Sequence, residues 1–191
     1  MQRAVLPPNY NLLYDVKSIA ASINRIAEPI SAWARNVELS TGQSVFATPI
    51  LRGGLFFFAD LVRQLSTSVD VAEIRTTAYV AELNGIPHND VTVDIRGADF
   101  RGRSVLLVDD ICDSGRTLFV LGEELRKLGA LEVRAAVLVR RILPGHQQYS
   151  PEWSAFEFPG SEWLVGYGME DGGRNRNLPD VYTLVGTGKA T

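Results

Sequence analysis

Apolar residues at Val16, Ile19, Ile23, Ile26, Ile30, Trp33 and Val37 recur every three or four positions, the spacing of one helix face. Pro29 falls inside that pattern and predicts a kink or the first turn of a second helix, because proline lacks the amide proton a helix interior uses. The apolar run from Val45 to Ile50 predicts a buried strand, leading through Leu51-Arg52-Gly53-Gly54 into an apolar helix from Leu55 to Leu65. A second strand is predicted from Val71 to Arg75. The chain then turns polar around Asn84-Gly85, a hairpin signal, before an alternating strand at Val91 to Ile95. Residues from about 76 to 94 therefore read as a mobile two-stranded flap. Ser104 to Asp109 predicts a continuous strand ending in two acids, Thr117 to Leu128 a helix closed by Gly129, and Val133 to Val139 the next strand. Short strands follow at Trp163 to Tyr167 and Val181 to Val185.

Strands alternating with helices predict an α/β fold, with a mostly parallel central sheet covered by helices on both faces. No repeat or low-complexity linker divides the 191 residues, so one domain is expected over 1–191, with a hood segment at about 140–185. Ligands of such sheets bind beyond the carboxyl ends of the strands, which directs attention to the loops there.

Composition narrows the partners. A formal net charge of −3 and no Lys/Arg cluster longer than two give no general attraction to nucleic acid or anionic membrane. A bound phosphate would need a local arrangement of donors. The lone cysteine, Cys112, permits no internal disulfide, as suits a reducing compartment. Met1 to Pro8 lacks the apolar core of a signal peptide, and no stretch approaches the length of a membrane span. A soluble cytoplasmic protein is the expectation.

The most informative stretch is Val105-Leu106-Leu107-Val108-Asp109-Asp110-Ile111-Cys112-Asp113-Ser114-Gly115-Arg116-Thr117: strand, acidic pair, small-residue turn, helix. Ser114, Gly115 and Thr117 offer close backbone approach, hydroxyl donors and a helix N-terminus, which together can cradle a monophosphate. Two aspartates at a strand end can accept hydrogen bonds from a ribose diol, directly or through a divalent ion. The same residues fit an acidic turn capping the next helix equally well. A Walker-type loop is excluded, because no Gly-Lys-Ser/Thr follows a glycine-rich turn.

The whole segment closely resembles the phosphoribosyl-diphosphate signature of type I phosphoribosyltransferases, and the remainder of the chain is most similar to the hypoxanthine-guanine branch. Leu51-Arg52-Gly53-Gly54 followed by Phe57-Phe58-Ala59-Asp60-Leu61 resembles that branch's pyrophosphate loop, which carries a cis peptide bond that would fall at Leu51–Arg52. Ile74-Arg75 and Tyr79 resemble the start of its flexible catalytic loop, with Ala78 in place of the usual serine. Trp163-Leu164-Val165-Gly166-Tyr167-Gly168-Met169-Glu170 and Arg176-Asn177-Leu178-Pro179 resemble the segment that stacks the purine, holds magnesium and contacts pyrophosphate. Glu170 stands where the family has aspartate. Arg140, in Val139-Arg140-Arg141, occupies the place of a lysine that donates to the purine 6-oxo group.

The resemblance implies transfer of a 5-phosphoribosyl group from phosphoribosyl diphosphate to a 6-oxopurine, hypoxanthine or guanine, in purine salvage. It implies roles too. Asp113 is the general base, and Asp109, Asp110, Asp113, Ser114, Gly115, Arg116 and Thr117 bind the donor. Arg52, Gly53 and Arg176 hold pyrophosphate, and Arg140, Trp163 and Leu164 bind the purine. Asp109, Asp110 and Glu170 support Mg2+, Tyr79 belongs to the flap, and a homo-oligomer, dimer or tetramer, is expected. His88 and His146 read as neither metal ligand nor base, and Cys112 as packed rather than nucleophilic. Two alternatives stand beside this reading: an RNA-binding regulator on the same fold, and a phosphoribosyltransferase for uracil, orotate or adenine.

Overall fold

A computed structural model describes residues 6–71, 74–83, 86–95, 98–143 and 149–184, with backbone alone for 74–83 and 86–95. The order of elements is β1 (Tyr10–Tyr14), α1 (Val16–Thr41), β2 (Val45–Leu51), α2 (Leu55–Val62), β3 (Val69–Val71), β4 (Ile74–Leu83), β5 (Ile86–Ile95), β6 (Ser104–Cys112), α3 (Arg116–Lys127), β7 (Glu132–Arg141), β8 (Trp153–Phe158), β9 (Trp163–Val165) and β10 (Val181–Leu184).

Helix α1 starts where the Asp15 carboxylate accepts from the Ser18 amide, and stops at Gly42, whose φ of 71° takes the chain out of the helix. It runs through Pro29 as one helix of 26 residues, so of the two expectations, a kink or a new helix, the second is not what forms. Its apolar stripe, Ile19, Ile23, Ile26, Ile30, Trp33 and Val37, is wholly buried. That burial along the full stripe outweighs one missing backbone hydrogen bond.

A seven-stranded sheet runs in the order β5-β4-β2-β6-β7-β8, with β3 also pairing β2. Every pairing in it is parallel except the antiparallel β4–β5 ladder. The strand expected at Val71 to Arg75 is two strands: β3 and β4 lie beside successive stretches of β2. The Asn84-Gly85 turn and the Tyr79 and His88 side chains, like His146, lie outside what is described.

Alternation along the strands sends side chains into two cores. Val45, Ala47, Leu106, Val108, Ala136 and Leu138 pack with α1 and α2 on one face. Phe100, Val105, Leu107, Val133, Ala135 and Val137 pack with Leu118, Leu121 and Leu125 of α3 on the other. This is the expected α/β layering. Strands β1 and β8 were not foreseen: each is short, and Asn11 or Glu157 interrupts its apolar residues. β1, β10 and β9 form a separate three-stranded antiparallel sheet, so the two ends of the chain build the hood together.

Candidate active site

The strand carrying the acidic pair continues past it to Cys112, so Asp109 and Asp110 are strand residues rather than the loop beyond one. Both are buried. The Asp110 amide donates to the Asp109 carboxylate at 2.9 Å, and the Ile111 amide to the Asp110 carboxylate at 2.9 Å. Burial pushes the Asp109 carboxyl well above the usual carboxylate range, and the neighbouring Asp110 charge adds to the effect. Burial raises Asp110 as well, opposed by its hydrogen bonds to Asp109 and Ile111 and by the Arg176 charge. Such a pair is held where charge is costly until a ligand compensates it.

A pocket of about 190 Å³ opens at the carboxyl ends of β6 and β7. Its floor is Asp110, Ile111, Asp113 and Arg141; its roof is Trp163, Leu164, Met169, Glu170 and Arg176. Of the sequence-derived candidates it therefore gathers Asp110, Asp113, Trp163, Leu164, Glu170 and Arg176. Asp109 is not among its lining residues.

Arg140 does not line this pocket, and Arg141 does. The Arg141 guanidinium meets the Asp113 carboxylate at 2.5 Å and donates to the Gly160 and Glu162 carbonyls. Arg140 pairs with Glu157 at 3.5 Å and sits opposite Cys112. Of the two arginines, Arg141 therefore lines the pocket and Arg140 does not. The reason is a slip in alternation: Leu138 and Val139, adjacent in sequence, both pack into the α1/α2 core. Beyond that point the arginines exchange faces relative to a simple count by twos.

The roof depends on backbone that few residues adopt. Gly166, Tyr167, Gly168, Gly172, Gly173 and Asn175 all have positive φ. The Trp163 indole donates to the Glu170 carbonyl at 2.7 Å, leaving a ring face directed to the pocket. Arg176 pairs with the Glu170 carboxylate at 3.0 Å and donates to the Gly168 carbonyl at 2.6 Å. Arg174 is exposed, as a solvated charge would be.

Arg52, Gly53 and Gly54 form the turn after β2, and the Leu51–Arg52 peptide bond is cis. This turn is wedged between floor and roof: a methyl on Gly53 would overlap the Asp110 carboxylate, and one on Gly168 the Gly53 carbonyl. Arg52 is exposed. Across Asp110 and Asp113 from the roof, Ser114 to Thr117 lead into α3, where Gly115 takes a φ of 79° and the Ser114 hydroxyl accepts from the Arg116 amide at 3.3 Å. The cap residue itself, Gly115, has no side chain to offer the amides that follow Arg116, which suits an anion. Cys112 is buried, and that burial pushes its thiol up to about 11, away from the reactive thiolate.

Sequence reasoning missed Arg141, Met169 and Ile111 as pocket walls. The signal for Arg141 was the adjacent pair itself, but choosing between its members required the slip in the strand.

The phosphoribosyl transferase domain profile matches residues 11–171. The hypoxanthine phosphoribosyltransferase of Haemophilus influenzae is 35% identical over 140 residues, covering 71% of this chain and 75% of that protein. The hypoxanthine-guanine phosphoribosyltransferase of Mycobacterium tuberculosis is 27% identical over 174 residues, covering 91% of this chain and 85% of its own. A crystal structure of a Staphylococcus aureus hypoxanthine phosphoribosyltransferase shares the fold, with a TM-score of 0.78 at 21% identity over 91% of this chain and 90% of that one. A motif, a layered sheet and a pocket between acids and hood thus coincide with relatives of known name, and the chain belongs to the phosphoribosyltransferase family.

Proposed function

We propose that this enzyme transfers the 5-phosphoribosyl group of phosphoribosyl diphosphate to hypoxanthine or guanine in purine salvage, releasing pyrophosphate. The observation that carries the choice of base is the Asp113–Arg141 pair beneath the Trp163 ring. A 6-oxopurine offers that pair an acceptor at O6 and an N–H at N7, while its ring stacks on the indole. Arg141 donates to O6, Asp113 takes the N7 proton, and Leu164 closes the apolar edge. The names of the relatives favour this reading over an RNA-binding regulator or a transferase for another base.

In the reaction the bond from the ribose anomeric carbon to the diphosphate oxygen breaks and a bond to purine N9 forms, with positive charge building on the sugar between. Asp109 and Asp110 hold the ribose hydroxyls near that charge, and Ser114, Gly115, Arg116 and Thr117 hold the 5′-phosphate at the start of α3. Arg176, Arg52 and the Gly53 amide receive the departing pyrophosphate. Tyr79 and the β4–β5 flap, over about 76–94, close against water.

Asp110 and Glu170 line one pocket with oxygen donors that suit Mg2+. Among the described residues no group of three His, Cys, Asp or Glu side chains could cage a metal unaided, so diphosphate oxygens and water would complete its shell. Bound there, the ion supplies charge neutralisation for the leaving group. Asp109, which accepts from the Asp110 amide, supports Asp110 in this arrangement. No described helix is long and apolar enough to cross a membrane. A homo-oligomer, dimer or tetramer, in the cytoplasm completes the reading, and the mass in solution tests its first part.

The deciding experiment incubates the protein with donor, magnesium and a panel of bases, following pyrophosphate release. Hypoxanthine and guanine should be consumed and adenine rejected, because the Arg141 donor would face its 6-amino donor and leave polar groups unpaired. Adenine turnover equal to that of hypoxanthine would remove the 6-oxopurine assignment, and release with no base at all would remove the transferase reading.

A further inference from the structure

The roof of the pocket is held from an unexpected place. Asp171 follows Glu170 and Asn175 precedes Arg176, so these two residues flank the charged pair that closes the pocket. Both are bound by one hydroxyl from the other end of the chain. Tyr10, the first residue of β1, donates to the Asp171 carboxylate at 2.8 Å and accepts from the Asn175 side-chain amide at 2.8 Å. Its ring is buried with Val165, Leu178, Tyr182 and Leu184 and lies 5.9 Å from that of Tyr182.

The loop between these anchors is built on a backbone turn. Asp171 and Arg174 exchange two backbone hydrogen bonds of 3.0 Å, closing a tight turn through Gly172 and Gly173, both at positive φ. Asn175 has a φ of 65°, left-handed backbone that asparagine adopts more readily than other residues with a side chain. Its amide bond to Tyr10 ties that turn to β1. The Trp163–Glu170 and Arg176–Gly168 bonds hold each member of the charged pair singly, and the Tyr10 hydroxyl adds the tie that joins their two flanks.

Building on the phosphoribosyl-transfer reading, we propose that Tyr10 is a positioning residue for the diphosphate end of the site. Its hydroxyl ties Asp171 to Asn175 and so fixes the Glu170–Arg176 pair in the geometry that meets magnesium and pyrophosphate. Asp113 and Arg141 are anchored independently of it, by their own pair and the Gly160 and Glu162 carbonyls. The Tyr10 bonds reach the base side only through the Trp163–Glu170 contact, so its influence falls first on the donor.

The test is Tyr10→Phe, which keeps the ring and removes only the hydroxyl. The KM for phosphoribosyl diphosphate should rise about tenfold, with kcat and the KM for hypoxanthine changed by less than about twofold. Calorimetric affinity for magnesium pyrophosphate should fall by the same factor. Asp171→Asn, which still offers an acceptor to Tyr10, should retain most of that affinity, whereas Asp171→Ala should repeat the loss. Unchanged pyrophosphate affinity in Tyr10→Phe overturns the inference. So does a variant whose kcat and Tm fall while both KM values rise together, since that marks a general packing role. A parent that binds magnesium pyrophosphate but transfers to no base overturns the assigned function alone; one that does not bind it overturns the inference as well.

Discussion

The floor and the roof of the pocket are built on opposite plans. Asp109, Asp110 and Arg141 project from adjacent parallel strands in the middle of the large sheet, with packed cores on both faces. Their backbone is fixed by ladder hydrogen bonds before any side chain is considered. Trp163 opens β9 at the edge of the hood sheet, and Glu170 and Arg176 hang on a segment with repeated positive φ, held by side-chain-to-backbone bonds and by Tyr10. A rigid floor suits groups that must meet a proton or a developing charge within tenths of an ångström. A roof on a loop suits groups that must admit and release ligand. Lesions in the floor should therefore appear in kcat or base choice, and lesions in the roof in KM.

The largest effect should come from Asp113, the floor acid paired with Arg141. Asp113→Asn keeps the shape and removes the proton acceptor, so kcat should fall by about 10²-fold or more while the KM for donor moves far less. Steady-state kinetics with both substrates varied would check it, and near-normal turnover would take Asp113 out of the mechanism. Next comes Arg141→Ala. The kcat/KM for hypoxanthine should fall by about 10- to 100-fold, with adenine discrimination largely lost, because the O6 donor is gone. Some destabilisation accompanies it, since the same guanidinium satisfies the Gly160 and Glu162 carbonyls; a thermal melt separates that from the kinetic effect.

How much of this was legible in the sequence follows the same division. The β6 strand, its acids and the turn into α3 were readable because strand, loop and helix are consecutive, and each residue's chemistry constrains its neighbours. The two-faced sheet was readable from alternating elements for the same reason. The helix through Pro29 was not, because tertiary burial of Ile26, Ile30 and Trp33 overrode a local rule. Arg141 was not, because a single slip at Leu138 and Val139 changes which of two identical residues faces the pocket. Tyr10 was not, because its partners lie 161 and 165 positions away and no local pattern links them.

On the roof, Trp163→Ala removes a stacking face that is 39% exposed and so only partly packed against the protein. The KM for hypoxanthine and guanine should rise about tenfold, the worth of roughly one aromatic stack, with kcat nearly kept. A fall in kcat as large as that of Asp113→Asn would show that the roof too aligns the reacting atoms, and would dissolve the contrast drawn here.

The smallest effect should belong to Arg140, and it is the sharpest check on the register of β7. Its side chain pairs with Glu157 at 3.5 Å, across a half-exposed edge of the sheet, and stands opposite Cys112 on the neighbouring strand. An ion pair of that kind contributes about 0–1 kcal/mol. Arg140→Ala should therefore leave kcat/KM for every base within about twofold of the parent and lower Tm by no more than a few degrees. Measured beside Arg141→Ala under the same saturating donor and magnesium, the two variants form a pair in which only one residue faces the purine. If Arg140→Ala abolished adenine discrimination and Arg141→Ala kept it, the slip at Leu138 and Val139 would be misplaced, and the strand would follow the simple count by twos that places Arg140 over the base.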